Sequence, residues 1–512
     1  MLVKTFGSAV FGVNALTITI EVSIGAGNKY HIVGLPDNAI KESLRRVESA
    51  LQASGLRMPR QKIVVNLAPA DIRKEGSAYD LPIAIAILAA SGQLEAQEIG
   101  KYFIMGELSL DGGLQPIKGA LPISIQARAA GFQGFILPAD NSREAAIVSD
   151  IEVYGMKNLS EVVSFFNGKI SHQPVLVNTR EEFYNTVNSY EHDFADVKGQ
   201  ENIKRALEIA AAGGHNLILI GPPGAGKTML AKRLPTILPP LSLQEALETT
   251  KIHSVAGKLT AADSLMTERP YRSPHHTISD MALVGGGANP QPGEISLAHN
   301  GVLFLDELPE FKRSVLEVMR QPLEDRQVTI SRSRHSVEFP ASFMLVASMN
   351  PCPCGFYNHP EKECICAPGM VQKYLSKISG PLLDRIDLHV EVTPVQFNEL
   401  TSFSSSERSA DIRTRVINAR EIQTLRFQAN SSLHYNAQMS PNMVRNICSI
   451  NSAGQALIKK AMEKLGLSAR AYDRILKVSR TIADLAQSES IELEHLAEAI
   501  HYRSLDRDSW AG

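Results

Sequence analysis

The stretch Gly221-Pro-Pro-Gly-Ala-Gly-Lys227-Thr228 constrains the fold of this chain more than any other feature. It follows the short apolar run 216–220 and precedes a helical pattern that starts at Met229. A strand, a glycine-rich turn and a helix start in this order predict a phosphate-binding loop in an α/β protein. A chance glycine-rich turn is the alternative. The predicted nucleotide-binding residues are Gly221, Pro222, Pro223, Gly224, Ala225, Gly226, Lys227 and Thr228.

A second apolar run, 301–305, ends in the carboxylates Asp306 and Glu307. Alone this is a weak pattern, often a strand that runs into a turn. Downstream of a phosphate loop, it predicts that Asp306 lies on the Mg²⁺ side of a nucleotide and that Glu307 polarises the attacking water. Lys227 would then reach the β- and γ-phosphates, and Thr228 would hold Mg²⁺. The sequence therefore predicts an ATPase with ATP and Mg²⁺ as cofactors.

The composition is that of an ordinary globular protein, with 44% hydrophobic and 21% charged residues. The chain has 512 residues, which suggests about three or four domains. No apolar run of about 18 residues occurs, and the N-terminus lacks the layout of a signal peptide. We therefore expect a cytoplasmic protein with no membrane contact. Its formal net charge of −2 means that any nucleic-acid contact comes from a local patch, such as the inside of a ring.

Four segments can be distinguished along the chain. Residues 1–165 alternate strand and helix patterns, with strands at 15–22 and 62–67, a helix at 38–54 and a second helix N-capped by Asp80. Residues 166–193 have no sustained period and are predicted to be a linker. Residues 194–392 form the predicted nucleotide-binding domain. Residues 393–512 are helical, with a basic helix at 411–427 and helix starts at Ser440 and Ser468.

An ordered set of blocks along the whole chain resembles the AAA+ ATPases of the magnesium-chelatase-like branch, and more closely the YifB/ComM group. The resemblance implies a P-loop ATPase core with a helical lid. The blocks are Asp196-Val-Lys-Gly-Gln200, the phosphate loop, Arg269-Pro-Tyr-Arg-Ser-Pro-His-His-Thr-Ile-Ser279, Gly285-Gly-Gly-Ala-Asn-Pro-Gln-Pro-Gly-Glu294, Asp306-Glu307, Asn350-Pro-Cys-Pro-Cys-Gly355 and Gly380-Pro-Leu-Leu-Asp-Arg-Ile-Asp387.

Three further site residues follow from this resemblance. Asn350, after a strand pattern at 343–347, resembles the sensor-1 amide that orients the attacking water; the alternative is an amide that caps a turn. Arg385 resembles the arginine that crosses to the neighbour's γ-phosphate, which implies a closed homo-oligomer, most simply a hexamer. Its alternative is a surface ion pair with a neighbouring aspartate. Arg470 resembles the sensor-2 arginine of the lid, and a solvated basic face is its alternative.

Two elements are candidates for DNA contact. The alternating stretch 326–339 predicts a β-hairpin with Arg332, Arg334 and His335 near its turn, and no acidic residue occurs from 326 to 337. In related rings a hairpin here projects into the channel, where a positive collar suits a phosphate backbone. Ordinary solubilising charges are the alternative. His275 and His276, in an insertion at 251–299, are candidates for DNA or inter-subunit contacts.

Four cysteines, Cys352, Cys354, Cys364 and Cys366, lie within fifteen positions. Four thiolates suit tetrahedral Zn²⁺, although the C-x-C spacing is tighter than that of the usual zinc knuckle. Free buried cysteines or a redox pair are the alternatives. A structural zinc here would brace the loop that carries Asn350.

The N-terminal segment resembles the Lon protease domain, of the ribosomal S5 domain 2-like fold, over 106–141 and around Lys74-Glu-Gly-Ser77. Lon proteases use a serine–lysine dyad. Counting from the matching segment, the lysine position falls on Leu121, and Lys118 lies three residues too early. The resemblance therefore implies that the fold persists without the dyad. We expect a role in assembly or in guiding DNA.

These features lead to two competing functions. The first, implied by the resemblance, is a hexameric ATP-driven DNA helicase that promotes branch migration during natural transformation, with single-stranded and branched DNA and recombination proteins as partners. The second is a chelatase-like ATPase that remodels a protein partner. The chelatase subunit is expected to resemble only 194–512, which favours the DNA motor. A protease is disfavoured by Leu121.

Overall fold

The computed structural model describes residues 2–169, 172–186, 191–261, 263–287, 289–331, 336–357, 359, 361–367, 369–394, 406–428 and 433–503. Its strands are β1 (Leu2–Phe11), β2 (Asn14–Gly25), β3 (Tyr30–Val33), β4 (Lys62–Ala68), β5 (Tyr102–Ile104), β6 (Glu107–Leu108), β7 (Leu114–Gln115), β8 (Gly134–Pro138), β9 (Glu152–Met156), β10 (Leu217–Ile220), β11 (Tyr271–Arg272), β12 (Gly285–Gly286), β13 (Gln291–Pro292), β14 (Val302–Leu305), β15 (Gln327–Ser331), β16 (Ser336–Pro340), β17 (Met344–Met349) and β18 (Leu388–Glu391).

The α-helices are Asn38–Ala53, Asp80–Ala90, Ala120–Ala129, Ser142–Ala145, Leu159–Phe166, Thr179–Thr186, Glu201–Gly213, Lys227–Ile237, Leu243–Ala256, Asp280–Val284, Glu294–Leu297, Arg313–Val318, Arg320–Asp325, Met370–Leu375, Gly380–Leu383, Ser409–Arg426, Pro441–Ile447, Ser452–Leu465, Ala469–Leu485 and Leu493–His501. Within the described residues, no helix has both the length and the apolar character that are needed to cross a lipid bilayer.

The N-terminal region contains a mixed seven-stranded sheet in the order β3-β4-β2-β1-β5-β8-β9. The predicted strands at 15–22 and 62–67 are confirmed as β2 and β4, and the predicted helix at 38–54 as Asn38–Ala53. The prediction that Asp80 caps its helix is wrong, because Tyr79 occupies the N-cap position. The Asp80 carboxylate is instead buried against Arg46, whose Nε lies 2.7 Å away.

The second sheet is parallel throughout, in the order β11-β14-β17-β10-β18. Its inner strands are apolar on both faces, as a sheet covered on both sides requires. In β10, Leu217 and Leu219 belong to a core shared with the C-terminal helices, whereas Ile218 and Ile220 belong to the core on the other side. Strand β10 is therefore packed on both of its faces. The phosphate loop follows β10 directly and so lies at the carboxyl edge of the sheet.

The C-terminal region is helical, as predicted. Ser440 and Ser468 cap the helices Pro441–Ile447 and Ala469–Leu485, since the side chain of each serine accepts a hydrogen bond from a backbone N–H one turn later. The predicted basic helix is Ser409–Arg426. These helices pack against one face of the parallel sheet and bury Cys448 in the shared core.

The segment predicted to be a linker contains the helix Thr179–Thr186, and Phe183 of this helix is buried. Phe183 belongs to a small apolar cluster that joins the N-terminal region to the phosphate-loop region. We call this cluster the inter-region core. Its buried members are Leu121, Ile147, Val148, Phe183, Leu241, Ala246 and Leu265. The domain boundaries themselves stay a prediction.

A buried carboxylate reinforces this contact between the two regions. Glu144 accepts hydrogen bonds from the backbone N–H of Leu121 (2.9 Å) and from the hydroxyl of Ser254 on the helix Leu243–Ala256. The backbone N–H of Gly119 also donates to the Ser254 carbonyl oxygen (3.1 Å). Burial raises the pKa of Glu144, against the opposing effect of these hydrogen bonds. The N-terminal region is therefore held to the phosphate-loop region by both apolar and polar contacts.

Candidate active site

The carboxyl edge of the parallel sheet collects the residues that were predicted to bind and hydrolyse a nucleotide. The phosphate loop follows β10, Asp306 and Glu307 follow β14, and Asn350 follows β17. Because β17 lies between β14 and β10, Asn350 stands between the carboxylates and the loop. Parallel strands end at one edge, so three segments that are distant in sequence meet there.

The phosphate loop adopts the backbone that its glycines allow. Gly224 and Gly226 have φ values of +79° and +84°, in the left-handed region that favours glycine. Lys227 begins the next helix, and its Nζ donates to the carbonyl oxygens of Gly221 (2.6 Å) and Pro222 (2.9 Å). Burial lowers the pKa of Lys227. The Lys227 ammonium group thus lies inside the loop and donates to backbone carbonyl oxygens. The phosphate oxygens of a bound nucleotide can take the place of these acceptors.

Thr228 and Asp306 provide oxygen atoms suited to Mg²⁺. The Thr228 hydroxyl donates to an Asp306 carboxylate oxygen at 2.8 Å, and the Ser348 hydroxyl donates to the other. Mg²⁺ prefers hard oxygen ligands and usually keeps several waters while binding one or two protein groups. The residues present therefore fit Mg²⁺ held beside a phosphate chain.

Glu307 and Asn350 face the same space. Glu307 has a φ of +54°, which is uncommon for a residue with a side chain and is found most often at functional positions. Its backbone N–H lies within hydrogen-bonding distance of the Ser348 hydroxyl (3.4 Å), so the carboxylate projects from a supported turn. The Asn350 side-chain oxygen accepts a hydrogen bond from Lys227 Nζ (3.1 Å). A carboxylate that can accept a proton and an amide that can orient a water molecule thus lie at the same edge of the sheet.

The two predicted DNA-contacting histidines lie near this site. His276 Nδ1 is 3.5 Å from a carboxylate oxygen of Glu307, whereas His275 Nδ1 is 2.9 Å from the Thr277 hydroxyl. The rings of His275 and His276 are in contact, with centroids 4.0 Å apart. The structure therefore brings His276 to the candidate catalytic carboxylate, a position that its sequence context did not indicate.

Arg385 and Arg470 lie together, at the amino edge of the sheet. Arg385 is buried; it donates to the Pro381 carbonyl oxygen (2.5 Å) and is paired with Glu324. Arg470 is exposed, and its guanidinium lies 3.4 Å from Asp384. Both arginines line one cavity of about 360 Å³, and none of the residues that line it comes from the phosphate loop. The structure thus groups these two cations away from the nucleotide site of their own chain.

A buried polar network supports this second group. Arg474, one turn after Arg470, lies 2.7 Å from Asp387, and Asp387 also contacts the His215 ring (3.1 Å). Burial would raise the pKa of Asp387, but Arg474 and His215 outweigh it and hold this pKa below its usual range. His215 in turn contacts the Thr481 hydroxyl (2.8 Å). These contacts fix the helix Ala469–Leu485 against the start of β18.

The four clustered cysteines converge in space. The Sγ atom of Cys352 lies 3.3 Å from that of Cys354 and 3.7 Å from that of Cys364, and all four sulfur atoms lie within 4.8 Å of one another. Four sulfurs around Zn²⁺, each about 2.3 Å from it, stand about 3.8 Å apart in a regular tetrahedron. The thiol set, which includes Cys366, therefore fits a zinc ion.

The cysteine loop also approaches the phosphate loop. A side chain added at Gly355 would place its Cβ only 2.5 Å from Pro223, so the two loops are in direct contact there. Gly355 has a φ of +85°, a second reason for glycine at this position. A metal in this loop would thus hold both Asn350 and one side of the nucleotide site.

The predicted hairpin is confirmed as β15 paired with β16, but Arg332, Arg334 and His335 lie outside the described residues. Strand β16 of the hairpin touches the N-terminal region near its tip-side end. A Cβ on Gly12, in the turn between β1 and β2, would lie 3.0 Å from Val337, and Val13 packs against the core below the hairpin. The N-terminal region therefore supports the hairpin directly.

The Lon-like segment does not form a serine–lysine pair. The Ser77 hydroxyl donates to the carboxylate of Glu107. Leu121 is fully buried in the inter-region core. The Lys118 side chain lies along Gly257 of the neighbouring region. In the part of the chain that the structure describes, Ser77 is thus bonded to a carboxylate, and the loss of the dyad stays a prediction.

Several contributing residues were not identified from the sequence. Ser348 bonds to Asp306, and a hydroxyl inside the otherwise apolar β17 could have indicated this. Gln200 donates to the Ala225 carbonyl oxygen (2.9 Å) and so supports the phosphate loop. Asn216 donates to the Arg385 carbonyl oxygen (3.1 Å) and accepts from the Leu345 N–H (2.9 Å). A polar residue directly before β10 was the available signal for Asn216, whereas Gln200 lies at the start of a helix.

A parallel sheet with a phosphate loop, a carboxylate pair and an amide at one edge, covered by a helical region, defines a P-loop nucleotide-binding protein of the AAA+ class. Family models described as magnesium chelatase subunit ChlI, subunit ChlI of Mg-chelatase and the C-terminal part of subunit ChlI match residues 193–400, 20–141 and 406–503.

The chain is similar over almost its whole length to known sequences of one group. It is 44% identical over 505 residues to competence protein ComM of Haemophilus influenzae, covering 98% of this chain and 97% of that protein. It is 45% identical over 503 residues to YifB of Escherichia coli K12, covering 98% and 96%. A shorter match, 33% over 159 residues, is to Lon protease 2 of Bacillus subtilis, covering 28% and 27%. The chain belongs to the YifB/ComM family of magnesium-chelatase-like proteins, and this membership indicates ATPase activity.

Proposed function

We propose that this protein is a hexameric, ATP-driven DNA helicase that promotes branch migration when single-stranded DNA enters recombination during natural transformation. The observation that carries the proposal is the similarity over 98% of the chain to a protein named for competence. Single-stranded and branched DNA are its proposed substrates, and recombination proteins its proposed partners. The positive tip proposed for the hairpin, with Arg332, Arg334 and His335, supplies the DNA contact.

The second candidate, remodelling of a protein partner as in a chelatase, keeps some support. A family model described as subunit ChlI of Mg-chelatase matches residues 20–141. The expectation that the chelatase resemblance begins only at residue 194 is therefore wrong. The presence of the N-terminal region therefore does not distinguish the two candidate functions. The dependence of ATP turnover on DNA distinguishes them.

In the proposed reaction, the residues of one subunit bind ATP and prepare the water. Lys227 leaves the carbonyl oxygens of its own loop to contact the β- and γ-phosphates. Thr228 and Asp306 would hold Mg²⁺, and the bound ion would supply positive charge beside the phosphate oxygens. Asn350 orients the water, and Glu307 accepts its proton.

The neighbouring subunit completes this site in the proposal. Because Arg385 and Arg470 lie together at the edge opposite their own phosphate loop, we assign both to the nucleotide of the adjacent subunit. Guanidinium groups at that point stabilise the charge that develops on the transferred phosphoryl group. This arrangement requires head-to-tail contacts, which close into a ring.

ATP turnover measured with and without single-stranded and forked DNA tests the proposed function. We expect several-fold stimulation by DNA, and loss of that stimulation in Arg332→Glu/Arg334→Glu with the DNA-free rate unchanged. The exposed pair Lys312→Glu/Arg313→Glu makes the same change in net charge on the same region and serves as the control. A turnover rate that is indifferent to DNA would favour the remodelling function.

We also propose that the cysteine cluster binds a structural zinc ion. The purified protein is expected to hold about one zinc per chain, and Cys364→Ser/Cys366→Ser to lose it. Because the cluster touches the phosphate loop, this variant should also melt at a lower temperature and bind ATP less tightly. Metal analysis and thermal unfolding measure these effects. The control is Cys448→Ser, which should keep its zinc because Cys448 is a buried cysteine far from the cluster in sequence. A wild-type protein without zinc would contradict the proposal.

A further inference from the structure

One end of the seven-stranded sheet carries exposed basic side chains that the nucleotide site and the hairpin do not use. They lie at and just before the start of the edge strand β3, in the loop that leads into β4, and at the first residue of β4. We call this surface the basic edge. Its members are Lys29, Tyr30, His31, Arg57, Arg60 and Lys62, all of them exposed.

Pairing of β3 with β4 brings these two segments together. The backbone N–H of Ile63 donates to the Lys29 carbonyl oxygen (3.0 Å), so Lys29 and Lys62 lie beside each other. The Tyr30 hydroxyl lies 3.5 Å from the Pro59 carbonyl oxygen, which places the ring next to the loop that carries Arg60. The basic edge is therefore one continuous surface.

The charge of this surface is not compensated locally. Residues 22–36 and 49–70 contain Lys29, Arg57, Arg60 and Lys62 and no Asp or Glu, although the whole chain has a formal charge of −2. In the part of the chain that the structure describes, none of these four cations forms an ion pair, whereas many other bases do. Glu21, an acid on the adjacent β2, is already paired with Lys4 (3.0 Å).

Protection of a sheet edge is the simpler explanation, because lysine on an edge strand prevents pairing with other chains. That explanation accounts for Lys29, which directly precedes β3. It does not account for Arg57 and Arg60, which lie in the loop and not on the edge strand. Nor does it account for Tyr30, an aromatic ring that is 38% exposed on the strand that would need protection.

From this juxtaposition of unpaired cations and an exposed ring we infer that the basic edge binds single-stranded DNA outside the channel of the ring. The inference rests on the proposed function and adds a second DNA site to it. Arginine and lysine contact the phosphates and fix the path of the strand, without reading its sequence. Tyr30 offers a face on which an unpaired base stacks, which favours single strands over duplex.

Equilibrium binding of labelled oligothymidylate to the full-length protein, measured at several salt concentrations, tests this site. Arg57→Glu/Arg60→Glu/Lys62→Glu is expected to weaken binding about tenfold or more at low salt. The slope of log affinity against log salt should fall by about 2, since each phosphate contact on a single strand contributes about 0.7. ATP turnover without DNA should be unchanged, because none of these residues belongs to the nucleotide site.

Two controls separate a binding site from a general charge effect. Arg128→Glu/Lys157→Glu/Lys169→Glu makes the same charge change at exposed positions of the same region and should bind DNA like the wild type. Tyr30→Phe keeps the ring and should retain affinity, whereas Tyr30→Ala should lose it. Thermal unfolding of each variant checks that the fold is intact.

The failures of the two proposals are distinguishable. If the wild type binds oligothymidylate and the basic-edge variant binds it equally well, the second site is wrong and the helicase proposal stands. Equal losses in the basic-edge variant and in its charge control would also overturn the second site. If the wild type does not bind DNA, both proposals fall.

Discussion

Arg385→Ala is expected to reduce ATP turnover about a thousandfold while ATP binding is retained, because an arginine supplied by a neighbouring subunit contributes about this much to phosphoryl transfer. The side chain lies away from its own phosphate loop, so the nucleotide-binding residues of the variant are unaltered. Turnover and fluorescent-nucleotide binding on assembled rings measure the two effects separately.

Arg385 is also buried and paired with Glu324, so a purely structural role has to be tested. Glu324→Gln removes the ion pair but keeps the arginine, and it should turn over ATP nearly as fast as the wild type. A loss as large as that of Arg385→Ala would indicate that the ion pair only holds the fold.

Mixed rings provide a sharper test of action between subunits. Lys227→Ala subunits lack the loop lysine and Arg385→Ala subunits lack the arginine, so each is inactive alone. In a mixed ring, an Arg385→Ala subunit can receive the arginine of an adjacent Lys227→Ala subunit. Partial recovery of ATP turnover is expected on mixing, and no recovery would place Arg385 in its own chain's site or outside catalysis.

Glu307→Gln is expected to slow ATP hydrolysis by about a hundredfold to a thousandfold with little change in ATP affinity, since a positioned general base contributes about that much. Glutamine keeps the size of the side chain and the hydrogen bonds of the supported turn, but it cannot accept the proton of the water. Single-turnover hydrolysis and nucleotide binding together distinguish a chemical defect from a binding defect.

Glu310→Gln is the matched control for this prediction. Glu310 lies three residues after Glu307, is exposed and forms an ion pair with Lys377 at 3.3 Å. The substitution Glu310→Gln therefore removes the same charge from the same part of the chain, at a residue that has no role in the proposed reaction. Its turnover should stay close to that of the wild type. If Glu307→Gln hydrolysed ATP as fast as Glu310→Gln, Glu307 would not be the base.

The sequence predicted the local parts of this site well. Strands at 216–220, 301–305 and 343–347 were identified because buried parallel strands are short apolar runs, and polar residues at their ends had to share one edge. The helix Asn38–Ala53 was identified from its apolar spacing. These are features that a few neighbouring residues determine.

What the sequence did not provide was the spatial relation between distant segments. Arg470 lies 86 residues after Asp384, and only the packing of its helix places it beside Arg385 and away from the phosphate loop. His276 reaches Glu307 because β11, which precedes it, pairs in parallel with β14, which precedes Glu307. Asp80 does not cap its helix, and its carboxylate instead forms an ion pair with Arg46 on another helix. Each of these outcomes depends on tertiary contacts that no local pattern encodes.

Leu121 stands where the Lon resemblance requires a lysine, and it is fully buried in the inter-region core beside Ala246 and Leu265. A lysine there would place an ammonium group among apolar side chains, at several kcal/mol, and the Glu144 carboxylate is already occupied by other donors. The position that the Lon resemblance assigns to the lysine is thus one on which the contact between the two regions depends. A lysine at this position could be accommodated only if the inter-region core opened.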